Sequence, residues 1–213
     1  MDVVIIGAGG HAQVVADILL TAQAAGQAVR PIGYVDDNPA LRGHVFVTLP
    51  VLGALADIPR ITHQALIVAL GNNATRRQVF LHWQAQGEQF VTARHPQAVI
   101  GREVQVGVGV MICAGVVINP GSQIGDNVIL NTGCTIDHHN LISAHVHVAP
   151  GVHMGGEVQI GEGALIGIGA TIMPRCSVGA WSSVGAGAVV HHPIPSQLTV
   201  VGVPARPLVT SSP

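Results

Sequence analysis

The chain has 213 residues, 48% of them hydrophobic and only 9% charged, with 27 glycines and a formal net charge of −2. So small a negative charge, with no basic run, excludes the electrostatic footprint of a nucleic-acid binder. Gly, Asn, Asp or His interrupts every apolar stretch before it reaches the eighteen or so residues of a membrane span, so none is expected.

The opening Met1-Asp2-Val3-Val4-Ile5-Ile6-Gly7 carries no basic region and no small-residue cleavage site. No signal peptide is therefore expected, and the chain reads as cytoplasmic. Val3–Ile6 reads as a short buried strand that runs into Gly7-Ala8-Gly9-Gly10-His11-Ala12, and Val14–Leu20 has the apolar spacing of a helix. Gly7, Gly9 and Ala12 fit a dinucleotide fingerprint, and backbone amides at a helix start can cradle phosphate. The domain is too short for the double unit that binds a whole dinucleotide. A nucleotide-sugar suits the turn better than NAD, with a purely structural glycine turn as the other possibility. Ile32–Val35 is a second strand ending in the turn Asp36-Asp37-Asn38-Pro39. Ala65–Leu70 is a third, running into Gly71-Asn72-Asn73, and Thr75–Gln86 reads as helical. Strands alternating with helices predict a small Rossmann-like α/β domain over residues 1–95, with ligands at the carboxyl ends of its parallel strands.

Past His95-Pro96 the pattern changes, and a second domain is expected over 96–213. From Ile100 an aliphatic residue recurs at every sixth position through Val106, Ile112, Ile118, Ile124, Leu130, Ile136, Ile142, Val148, Met154, Ile160, Ile166, Ile172, Val178, Val184 and Val190. Glycine often follows it, and four positions on comes Val, Ala, Ser, Cys or, once, Asn. Neither a 3.6-residue nor a 2-residue period produces a strict six. A coil of short strands and tight corners does, each strand pointing one aliphatic inward and a small residue packing beneath. The glycine after each aliphatic is expected to carry the corner. Cys113, Cys134 and Cys176, without CxxC spacing, read as buried small hydrophobes.

Asp137-His138-His139 breaks the habit of the repeat. Corner positions elsewhere carry Gly, Ala, Asn or Pro, whereas three polar, titratable groups fall together here. Acyl transfer to an amine or hydroxyl needs a base for the attacking group's proton, and an imidazole suits it. A solvated corner is the plainer alternative. The five coil histidines, His138, His139, His145, His147 and His153, raise a different chemistry, a zinc site of three imidazoles and water.

The hexads resemble those of the hexapeptide-repeat acyltransferases, which implies a left-handed parallel β-helix, three hexads per turn and about five coils across Ile100–Val190. Asn131-Thr132-Gly133-Cys134-Thr135-Ile136-Asp137-His138 resembles the NT-x4-(D/E)-H signature of a narrower group. That group comprises bacterial nucleotide-sugar N-acetyltransferases of the bacillosamine and perosamine type, with sialic acid O-acetyltransferase-like proteins. GAGGHA, YVDDNP, ALGNN and VGVPAR are similar to motifs of the same group. The resemblance implies an acetyltransferase that uses acetyl-CoA as co-substrate, without a metal, in bacterial surface glycan biosynthesis. The acceptor it implies is the amino group of a UDP- or GDP-linked 4-amino-deoxysugar, with O-acetylation of sialic acid or another sugar as the alternative. A trimeric, zinc-dependent enzyme like gamma-class carbonic anhydrase is a second alternative.

By the same resemblance His138 is the base. Gly9, Gly10, His11, Asp36, Asp37 and Gly71 contact the nucleotide-sugar, and His147, Gly156, Ile168 and Ala186 contact acetyl-CoA. Two positions depart from the pattern. His139 stands where relatives often carry an acid, which leaves Asp137 as the carboxylate available to orient His138; His139 reads either as a further member of the relay or as only a corner residue. Ala186 replaces a glycine. At about 20° per residue, His138 and His147 fall on opposite sides of one coil. They can share a ligand only across subunits, so a homotrimer with active sites between its subunits is expected.

Overall fold

The computed structural model describes residues 1–208, so the last five residues of the expected second domain lie outside the described residues. The chain divides into two compact units, Met1–Pro96 with Val108–Met111, and Gln97–Gly107 with the chain from Ile112 onward.

In the first unit β1 (Asp2–Ile6) leads through a glycine turn to α1 (Gly10–Ala24), then to β2 (Arg30–Val35). A hairpin of β3 (Val45–Phe46) and β4 (Leu49–Gly53) follows, then β5 (Ala65–Val68) and α2 (Asn73–Ala85). The sheet order is β3-β4-β2-β1-β5. β1 is parallel to both its neighbours, β2 and β5, and β4 is parallel to β2. Val3 to Ile6 have no solvent exposure, which is why β1 reads as an unbroken aliphatic run and not as an alternation. α1 covers the sheet with Ala12, Val15, Ala16, Leu19 and Ala22, the three- and four-residue spacing of a helix face.

α1 starts four residues before the expected Val14, because Gly9 and Gly10 enter the first turn with no side-chain cap to mark it. The hairpin had no sequence signal at all. Its turn places Val47 and Thr48 at φ of 47° and 66°, left-handed values that usually call for Asn or Gly. Among the described residues no helix is long and apolar enough to cross a membrane.

The second unit is a coil of two-residue strands repeating every six residues. Through the regular coil each strand pairs in parallel with the strand eighteen residues further on, and at the C-terminal end Ser183 pairs with Thr199, sixteen residues on, before a last antiparallel pair. One face runs Val99, Val117, Thr135, His153, Thr171, Val189 without a slip. The others run Gln105, Gln123, Leu141, Gln159, Ser177 and, in its central part, Ile129, His147, Leu165, Ser183. The aliphatic series points inward, and from Ile112 to Val190 each member is at most 4% exposed. The small position four residues on is buried with it, and this includes Cys134 and Cys176, while the third free cysteine, Cys113, is buried directly after Ile112.

The corners sit elsewhere than expected. Left-handed φ recurs three residues after each aliphatic, at Gly109, Gly115, Gly121, Asn127, Gly133, His139, His145, Gly151 and onward to Gly187. The glycines directly after the aliphatics serve the stacking of turns instead. A Cβ on Gly125 or Gly161 would lie within 2.6 Å of the backbone nitrogen of Ala144 or Ala180 in the next turn. Steric approach, not backbone conformation, keeps those positions bare.

Candidate active site

In the first unit three of the predicted clusters meet. Gly9-Gly10-His11 follows β1, Asp36-Asp37 follows β2, and Gly71 lies just past β5. These three strands are adjacent and parallel, and the chain runs from β1 to β2 and β4 on one side before crossing back to β5 on the other, which makes the end of β1 the switch point at which α/β sheets open a crevice. Gly7 is required by the fold, since its φ is +102° and a Cβ would lie 2.9 Å from Leu70 Cδ2. Gly9, Gly10 and Gly71 face open space, with nothing within 4 Å of a Cβ. The room they leave is at the N-terminus of α1, where amides point outward and favour an anion.

The acidic pair braces this crevice. Asp36 Oδ2 accepts from the Ala8 amide at 2.8 Å and its Oδ1 from Asn38 at 2.9 Å, while Asp37 Oδ1 accepts from Leu55 at 2.9 Å. A cavity of about 200 Å³ opens among Gly7, Asp36, Asp37, Leu55, Thr75 and Val79. His11 is pushed down to about 4, first by burial and then by the Arg76 guanidinium. It is thus a neutral ring at physiological pH, offering hydrogen bonds but no charge.

Arg76 is a component that sequence reasoning missed. It is fully buried in the first turn of α2 and donates to the Leu70 carbonyl at 3.1 Å and to Asn73 Oδ1 at 2.9 Å, which fixes the turn containing Gly71. Its only signal was an arginine placed just after a strand-end turn in a chain with few cations.

In the coil, Asp137, His138 and His139 occupy one corner, with both imidazoles exposed and Asp137 half-buried. Gly156 comes eighteen residues after His138 and sits directly beside it in the next turn. A Cβ on Gly156 would lie 2.5 Å from His138 Cε1 and Nε2, so the ring rests on the bare Cα of Gly156. Asp137 Oδ1 accepts from Asn119 Nδ2 and from the His138 amide, both at 2.8 Å. These bonds, Asn119 first, hold its carboxyl below the usual range. His138 Nδ1 lies 3.1 Å from His139 Nδ1.

Beneath this corner two polar side chains replace the usual Val or Ala of the core. At the corner starting at Asn131 the Cys134 amide donates back to the Asn131 carbonyl. At the histidine corner the Asn140 amide donates to Ser122 Oγ, while Ser122 Oγ and Asn140 Nδ2 both donate to the Asp137 carbonyl. Asn140 Oδ1 accepts in turn from the Val158 amide. Leaving such buried groups unpaired costs roughly 1–3 kcal/mol each, so the pair pins the backbone that carries the imidazoles. The lone Asn in the small-residue series was the visible trace of it.

The remaining predicted positions lie apart from this corner within one chain. His147 is half a turn away on the opposite face, half-buried, with Nε2 3.5 Å from Asn131 Nδ2. Ile168 and Ala186, eighteen apart, follow each other along the edge after His147, and Ile168 is 61% exposed. Beyond the His138–His139 pair the coil histidines do not converge: His145 is buried and paired with Asn127, and His153 with Thr135. Among the described residues no group of three or more His, Cys, Asp or Glu is placed to hold a metal ion.

Comparison with known proteins fits both units. Residues 2–82 match the profile of the PglD N-terminal domain, and residues 157–192 that of the bacterial transferase hexapeptide with six repeats. A histidine-to-asparagine variant of perosamine N-acetyltransferase from Caulobacter crescentus, solved with CoA and GDP-perosamine, is 36% identical with a TM-score of 0.91, covering 99% of this chain and 98% of that one. The acetyltransferase domain of PglB from Neisseria gonorrhoeae is 36% identical over 97% of this chain and 99% of that one, with a TM-score of 0.89. WeeI from Acinetobacter baumannii is 27% identical over 98% of this chain and the whole of the other, with a TM-score of 0.87. An α/β unit followed by a hexad coil is thus a shared design, and the chain belongs to the hexapeptide-repeat acetyltransferases acting on nucleotide sugars, left-handed β-helix enzymes that use acetyl-CoA.

Proposed function

We propose that the chain transfers the acetyl group of acetyl-CoA to the amino group of a GDP-linked 4-amino-deoxysugar, in the cytoplasm, as a step in surface glycan assembly. The observation that carries this reading is the seating of His138, an exposed imidazole held on rigid backbone with its Nε2 side against the bare Gly156. The resemblance to a perosamine N-acetyltransferase solved with CoA and GDP-perosamine supplies the acceptor class.

In the reaction the neutral amine attacks the thioester carbonyl carbon, and a C–N bond forms as the carbonyl π electrons move to oxygen. His138 Nε2 takes the proton that the nitrogen sheds. Collapse of the tetrahedral intermediate breaks the C–S bond, and the proton held on His138 returns to the departing CoA sulfur. Imidazole can carry both transfers because it is a base in one form and an acid in the other. The diphosphate would lie at the start of α1 and the nucleoside in the crevice beside Asp36 and Asp37.

His147, Ile168 and Ala186 belong to the thioester side by resemblance, yet they lie away from His138 in the same coil. A homotrimer, in which one subunit supplies His138 and its neighbour the His147 face, resolves this. Incubation with acetyl-CoA and a panel of GDP- and UDP-linked amino sugars and free sialic acid, read by mass spectrometry, tests the function. A mass gain of one acetyl on the GDP-linked amine is expected, and acetylation of sialic acid alone would refute the proposal. Light scattering should give three times the chain mass, and a fully active monomer would end the shared-site argument.

A further inference from the structure

We infer that His139 is the positioning residue of the catalytic base: its Nδ1 accepts the Nδ1–H of His138, which holds His138 in the tautomer that leaves a lone pair on Nε2. The inference rests on the acetyl-transfer reading proposed above and goes beyond it.

Two imidazole nitrogens 3.1 Å apart can bond only if one carries hydrogen and the other a lone pair. If His139 donated, the neutral His138 would carry its hydrogen on Nε2 and could accept nothing there. The opposite arrangement frees Nε2 of His138, and that is the atom lying against Gly156. When the base takes a proton during attack, His139 then faces an imidazolium and accepts a hydrogen bond from a cation, a stronger bond than that to the neutral ring.

The backbone and packing of His139 fit this task. Its φ is 55°, in the left-handed region, and its ring packs on Gly121 of the turn below. A Cβ on Gly121 would lie 2.8 and 2.9 Å from the Cδ2 and Nε2 of that ring, so this edge is held against the coil and Nδ1 is turned to His138. The two rings meet edge to face, 5.3 Å between centroids. The carboxylate that the sequence nominated does other work. Among the described residues, the hydrogen bonds of the Asp137 carboxylate run to Asn119 and to the His138 amide, and none reaches the imidazole.

His139→Gly removes the ring without straining the left-handed corner, and His139→Asn offers an oxygen near the place of Nδ1 on a residue that tolerates the same φ. Nitrogen NMR of the ¹⁵N-labelled full chain at neutral pH should show His138 as the Nδ1–H tautomer in the parent protein. In His139→Gly it should move towards Nε2–H while kcat falls roughly ten- to a hundred-fold and both KM values hold. His139→Asn should restore most of kcat and the parent tautomer. An Nε2–H tautomer at His138 in the parent protein overturns the inference whatever the variants do. So does a His139→Gly enzyme with unchanged kcat and tautomer. A parent protein with the expected tautomer that acetylates no acceptor would instead count against the acetyl-transfer reading and leave the ring pairing intact.

Discussion

His138→Ala is expected to lower kcat by ~10²–10⁴, the range for loss of a general base, while the thermal midpoint stays within a degree or two of the parent. The stability half follows from position. His138 is exposed, two residues past the inward Ile136, and its truncation opens no cavity in the coil. Pre-steady-state acetyl transfer with a saturating nucleotide-sugar separates the chemical step from product release. Unchanged single-turnover rates would remove His138 from the reaction, whereas a large drop in melting temperature would show that the ring serves the fold.

Gly156→Ala should be nearly as damaging for a different reason. The added methyl would enter the space of the His138 ring, 2.5 Å from its Cε1 and Nε2, and the ring must swing away. Displacement of a reacting atom by about an ångström can cost 10²-fold in rate, so kcat should fall roughly ten- to a hundred-fold. Stability should change little, because the obstructing atoms are the mobile end of an exposed side chain and the glycine's φ is one that alanine adopts. Gly161→Ala makes the contrast, since its methyl would meet the Ala180 backbone at 2.5 Å, and there the melting temperature should drop. If Gly156→Ala raises only the KM for acetyl-CoA and spares kcat, the glycine is a thioester contact and not the seat of the base.

The hexad period was legible because burial is periodic: each inward position, from Ile112 on, is closed to solvent, so its residue type is dictated by the core. Corner conformation was less legible. The left-handed position tolerates Asn, His, Glu, Arg and even Trp181, so composition there carries little signal, while the bare positions forced by stacking look like turn glycines. In the first unit the glycine and acidic turns that line the crevice were visible as motifs at the ends of β1, β2 and β5. The β3–β4 hairpin was not, since Val47-Thr48 is unlike any ordinary tight turn. At the site the histidines could be read, but the bonds that aim them could not. Asn119 and Ser122 act through hydrogen bonds across turns and Arg76 by reaching back to the turn before its own helix, and neither spacing nor residue type reports such partners.

The unbroken eighteen-residue register from Val99 to Val189 also constrains how this coil can change length. Gain or loss of a whole turn beyond Gly156 would shift the C-terminal segment along the axis by about 4.8 Å, one strand spacing, and leave each column of side chains above its predecessors. Gain or loss of a single hexad within Asn140–Gly155 would turn all that follows by a third of a revolution and carry Gly156 off the edge occupied by His138. Evolutionary drift in coil length is therefore quantised: between His138 and Gly156 no single hexad can come or go without parting them, while beyond them whole turns are interchangeable parts.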